Sequence, residues 1–131
     1  MILLDTNVVI AFFNGNNAVL KRIQAEIDRI ALSTLVVADL DYGAKASQKA
    51  KENLEKLYRF LDIVRVVPFD LECSKIFGTI KSKLRKLGKP TGEMDALIAA
   101  TAMAHKGILV TGNRKHFENI ERLKVEIWPT G

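Results

Sequence analysis

The chain opens on Met1-Ile2-Leu3-Leu4 and runs straight into Asp5, an apolar stretch suited to a buried strand that ends on a carboxylate. A second such stretch, Gly107-Ile108-Leu109-Val110-Thr111, stops at Gly112-Asn113. Strands without polar alternation are buried on both faces, the arrangement of parallel sheets covered by helices. The intervening chain supplies those helices. Val19, Leu20, Ile23 and Ile27 recur at helical spacing between Ala18 and Arg29, and Ser33 caps a helix carrying Val36, Val37, Leu40 and Ala44 on one face. Ser47 to Leu61 is a mixed-charge helix, Asp70 caps one running to Leu87, and Glu93 to His105 is apolar nearly all round and therefore central. Further strands are expected at Ile30–Leu32, Ile63–Val67 and, at an edge, Val125–Trp128. Val8 to Phe13 is too short and too apolar for a surface helix and ends on the turn cluster Asn14-Gly15-Asn16-Asn17. This alternation predicts a three-layer α/β/α fold with a mostly parallel central sheet, formed as one domain over residues 1–131.

Composition excludes several classes. Cys73 is the single cysteine, so neither an intramolecular disulfide nor a zinc site built on several thiolates is possible. No apolar run reaches the roughly 18 residues of a membrane span, and Asp5 interrupts the first run too early for a secretory signal, so the expected location is the cytoplasm with no membrane partner. The formal charge of +5 favours a polyanionic or acidic partner. Lys81, Lys83, Arg85, Lys86 and Lys89 cluster at the end of the Asp70–Leu87 helix with no acid between them. Cations there complement the helix dipole, and the same group is the candidate phosphate contact. His105 and His116, near a helix end and in a polar loop, read as solvated or capping residues rather than ligands.

The acids are placed more tellingly. Asp5 ends a strand, Asp39 sits within a helix, Asp95 stands in the first turn of the central helix, and Asn113 follows the second buried strand. In a parallel α/β sheet the carboxyl ends of strands share one edge, where ligands bind. Three carboxylates meeting there would raise one another's pKa and hold protons unless a cation joined them. Oxygen donors without sulfur favour Mg²⁺ or Mn²⁺ over zinc, and such an ion activates water against phosphoryl groups. Asp39 and Asp41 lie about 200° apart around their helix, so only one can serve such a site, and periodicity does not say which.

Taken together, Leu3-Leu4-Asp5-Thr6-Asn7, Ala38-Asp39-Leu40-Asp41-Tyr42-Gly43, Asp95-Ala96-Leu97-Ile98-Ala99-Ala100 and Val110-Thr111-Gly112-Asn113 with Phe117 closely resemble the PIN-domain family, and within it the VapC-type toxin ribonucleases. The resemblance implies a Mg²⁺- or Mn²⁺-dependent endoribonuclease, a small cognate antitoxin and a homodimer. Carried over by position, Asp5, Asp39 and Asp95 are the metal-binding acids and Asn113 the fourth, more variable catalytic position. Thr6, Asn7 and Thr111 are polar supports. The Ala-acid-Leu frame favours Asp39 over Asp41, although the family usually has Glu there. Asn113 keeps an oxygen but loses a charge, so one tight ion is expected and a second would bind weakly. The alternatives are a PIN nuclease of RNA maturation or decay, and a PIN-like module that binds RNA or protein without cutting. A phosphoacceptor receiver domain would show adjacent acids after the first strand, where this chain has Thr6.

Overall fold

The computed structural model describes residues 1–131. Its centre is a five-stranded sheet ordered β3-β2-β1-β4-β5, with β1 Ile2–Leu4, β2 Ile30–Ser33, β3 Arg65–Val67, β4 Ile108–Thr111 and β5 Val125–Ile127. Every pairing is parallel, so "mostly parallel" sharpens to wholly parallel. Six helices fill the connections: α1 Thr6–Phe13, α2 Asn17–Ala25, α3 Thr34–Ala46, α4 Ala50–Leu61, α5 Leu71–Leu87 and α6 Glu93–Ala104. The three-layer α/β/α architecture follows from the chemistry of β1, β2 and β4, whose side chains are almost wholly buried and need cover on both faces. β3 and β5 are the edges. Arg65, Val66 and Glu126 face solvent there, which blunts pairing with other chains.

Strand order places the site. From β1 the chain steps outward through β2 to β3, then crosses back to β4 on the other side of β1. That reversal between β1 and β4 is the switch point at which a crevice opens beyond the strand ends. Register puts Leu4 opposite Val110, and the Asp5 amide donates to the Val110 carbonyl at 2.8 Å, so Asp5 and Thr111 leave the sheet side by side. Gly107 admits this close approach, because a Cβ there would overlap Leu3 and lie 3.1 Å from the Met1 carbonyl oxygen.

Several boundaries differ from the sequence expectation. Val8–Phe13 belongs to a true helix, α1, because Asp5 caps its first turn and Val8, Val9 and Ala11 are buried. Its apolar character reflects burial of that face, a case in which periodicity says little. The Ala18–Arg29 pattern breaks at Glu26 into a short 3₁₀ turn, Ile27–Arg29. The helix expected from Ser47 begins at Ala50, since Ser47 is extended and its hydroxyl donates to the Ala44 carbonyl at 2.7 Å, closing α3 instead. The strand expected at Ile63 is shortened, because the Ile63 and Val64 amides finish α4 by bonding to the Phe60 carbonyl. The Ser33 cap forms as expected, accepting from the Val36 amide at 3.1 Å, and α6 is central, with Ala96 and Ile98 through Ala102 buried.

Candidate active site

Asp5 is 6% exposed and is the N-cap of α1. One carboxylate oxygen accepts from the Thr6 amide at 2.9 Å, and the other accepts from the Thr111 hydroxyl at 2.8 Å. Burial pushes its pKa above the ordinary value. The bonds from Thr111 and Thr6 and the nearby His116 imidazole oppose that rise, and the charge of Asp39 adds to it. Asn7 pins α1 to the end of β4, its side-chain oxygen accepting from the Gly112 amide at 3.0 Å and its amide nitrogen reaching Thr111 at 3.4 Å. Thr6 faces the other way. Its hydroxyl donates to Asp39 at 2.8 Å, across 33 residues of chain, and so brings α3 to the switch point.

The two helix acids separate cleanly. Asp39 is partly buried beside Thr6, while Asp41 accepts from the Tyr58 hydroxyl at 2.6 Å and pairs with Lys45 at 2.8 Å on the α3–α4 flank. The bonds from Lys45 and Tyr58 pull the Asp41 pKa below its ordinary value. Asp95 enters from the first turn of α6, with 22% of its side chain exposed. Burial raises its pKa, the charge of Asp5 raises it further, and His116 lowers it. Asp5 therefore feels the charge of Asp39, and Asp95 that of Asp5, although the three are spread too widely for their oxygens to lie within 4.8 Å of one another as a set. Such an opening suits a hydrated ion better than a bare one, and Mg²⁺ keeps several waters.

Asn113 caps the turn Arg114–His116 through its side-chain oxygen, which accepts from the Lys115 amide at 3.2 Å. His116 is the residue that the sequence reading left among solvated side chains. Half of its surface is exposed, yet Nδ1 stands 3.5 Å from Asp95 and Nε2 lies 3.0 Å from the Asn113 amide nitrogen. Its place three residues after Asn113 in a polar turn was the one sequence signal available. His105 behaves as expected at a helix end, with Nε2 3.2 Å from the Pro68 carbonyl oxygen.

The basic cluster divides. Lys81, Arg85, Lys86 and Lys89 line an open concavity with Pro90 and Thr91, whereas Lys83 lies on another side of α5 and pairs with Glu121 at 3.6 Å. A separation of two residues turns a helix by about 200°, which explains the split between Lys81 and Lys83. The concavity adjoins the Asp95 end of the site, because the Thr91 hydroxyl donates to the His116 carbonyl at 3.0 Å and Gly92 caps α6 against Asp95.

One tighter cluster lies elsewhere. Asp70, Cys73 and His105 bring ligand atoms within 4.8 Å of one another. Their polar atoms are engaged locally: Asp70 caps the Cys73 amide at 3.1 Å, and the Cys73 thiol and His105 both approach the Pro68 carbonyl. Burial pushes the thiol pKa up, so Cys73 is a protonated, packed side chain.

Comparison with known proteins bears on the whole chain. The PIN domain family model matches residues 2–123. The ribonuclease VapC2 of Rickettsia felis is 35% identical, with 96% of each chain covered, and the tRNA(fMet)-specific endonuclease VapC of Shigella flexneri is 31% identical over the same share. Among solved structures, a VapBC2 complex of Rickettsia felis bound to a promoter DNA fragment superposes with a TM-score of 0.91 at 32% identity, covering 98% of this chain and 99% of that one.

Proposed function

This chain belongs to the PIN-domain family, and we propose that it is a VapC-type endoribonuclease whose Asp5, Asp39 and Asp95 hold a divalent cation. The observation that carries the reading is the convergence of three acids at the switch point: Asp39 shares the Thr6 hydroxyl beside buried Asp5, and Asp5 and Asp95 are both raised by burial, Asp5 further by the charge of Asp39 and Asp95 further by that of Asp5. Burying acids together is unfavourable in the metal-free protein, and a cation would relieve it. The donors are all oxygen, which fits Mg²⁺ or Mn²⁺. When bound, such an ion polarises the phosphodiester and lowers the pKa of water.

The protein's own residues do the positioning. Thr111 and the Thr6 amide fix both oxygens of Asp5, and the Thr6 hydroxyl aims Asp39. Asn7 locks the end of β4, so the donors keep their spacing without reorganising. Lys81, Arg85, Lys86 and Lys89 would take the RNA phosphates on either side of the scissile one. Water attack at phosphorus then leaves a 5′-phosphate and a 3′-hydroxyl. We further propose a homodimer and a small antitoxin as inhibitory partner, the latter supported by the likeness to the solved VapBC2 complex.

The test is cleavage of RNA by purified protein. Initiator tRNA, the RNA named for the Shigella relative, is the first substrate to try. Cutting is expected with Mg²⁺ or Mn²⁺, to stop with chelator, and to return on adding Mn²⁺; RNA that is bound but left intact in Mn²⁺ would support a non-cleaving module instead. Replacing Lys81, Arg85 and Lys89 together by Gln should weaken RNA binding and lower the slope of log affinity against log salt by about 2, the value for three contacts to single-stranded RNA. An unchanged slope would remove the concavity from the substrate path.

A further inference from the structure

Two-ion centres clamp a phosphodiester between cations about 3.5–4 Å apart, and each cation needs its own share of carboxylate. In this chain the second share would have to come from Asp95 and position 113. What stands between those two residues is the imidazole of His116. The hydrogen-bond directions there are fixed by elimination. The Asn113 oxygen must face the Lys115 amide, which can only donate, so the Asn113 amide nitrogen faces His116 Nε2 at 3.0 Å and donates into it. The imidazole thus spans the two residues, Nε2 against the Asn113 amide nitrogen and Nδ1 3.5 Å from Asp95.

The turn that carries the ring is pinned as well. Thr91 donates to the His116 carbonyl, the Phe117 amide closes the turn onto Arg114, and the ring meets the buried Phe117 edge-on at 6.3 Å. We propose that His116 takes the place of a second cation: its imidazole fills the gap between Asp95 and Asn113 and confines the centre to a single divalent ion. The loss of charge at Asn113 and the presence of His116 then act together. Restoring a carboxylate at position 113 is not enough to admit a second ion, because the imidazole still occupies the space beside Asp95. This inference rests on the reading that Asp5 and Asp95 hold a divalent ion.

The experiment is a count of bound Mn²⁺ by calorimetric titration, with free Mn²⁺ followed by electron paramagnetic resonance, on the full chain and three variants checked for folding by thermal melting. The parent, His116→Ala and Asn113→Asp are each expected to bind one ion, and the double variant Asn113→Asp with His116→Ala is expected to bind two. Two ions in Asn113→Asp alone, or only one in the double variant, would overturn the role of His116 while leaving the metal reading intact. No bound Mn²⁺ in any of the four would overturn the metal reading and this inference with it.

Discussion

Asp5→Asn is expected to fold and to cut RNA at least about a hundredfold more slowly, the scale of removing one group that stabilises transition-state charge. The Asn oxygen can still accept from the Thr6 amide, so the cap on α1 survives the exchange. What disappears is the buried charge. The same substitution has a second signature, in stability measured without divalent ions. In the folded protein burial holds the Asp5 pKa above the ordinary 3.8, so between the unfolded and folded values the native state binds more protons than the unfolded one. Stability then falls as pH rises through that window, and the deficit persists above it. Asn lacks the titration. The melting temperature of Asp5→Asn relative to the parent should therefore climb as pH is raised from about 4 to 7, whatever the offset between the two at acid pH. Adding Mn²⁺ should raise the parent's melting temperature and leave the variant's almost unmoved, since only a native-state binder stabilises by mass action. A pH-independent gap together with equal cleavage would sink the assignment of Asp5.

Asp39→Asn and Asp41→Asn should behave as opposites, though the residues are two apart on one helix. Asp39 accepts the Thr6 hydroxyl next to Asp5, and its side chain is one methylene shorter than the Glu usual in the family. Its loss is expected to slow single-turnover cleavage by about tenfold to a hundredfold, less than the loss of Asp5, because the shorter side chain would hold the ion through a water and groups at that remove carry this range. Asp41 is occupied by Lys45 and Tyr58 away from the switch point, so its loss should change cleavage by no more than about twofold, within the reach of a small surface effect. A fall of tenfold or more in Asp41→Asn, with Asp39→Asn near normal, would reverse the assignment.

Much of this was readable along the chain because strands and caps are local. Four apolar residues ending on Asp5 already specify a buried strand whose end carries a carboxylate, and Gly107 to Asn113 repeat the design on the neighbouring strand. Ser33 and Asp70 announced their helices by their own side-chain chemistry, and both caps form. Where the reading failed, the deciding neighbour was distant or the pattern had no contrast. Val8–Phe13 is nearly uniform in hydropathy, so nothing along the segment separates helix from extended chain. Lys83 looked like one of five equivalent cations until Glu121 from another part of the chain claimed it.

By itself, then, the sequence determined the layers, the strands that end on polar residues and the all-oxygen character of the acids gathered at one sheet edge, since these depend on residue type and spacing. The tertiary structure decided which acid of α3 turns inward, which lysines share a face with Thr91, and that His116 stands between Asp95 and Asn113. The reason is geometric. Helical periodicity gives the angle between two side chains but not the rotation of the helix against its surroundings. That rotation is set by contacts such as Thr6 with Asp39 and Thr111 with Asp5, which join positions 33 and 106 residues apart.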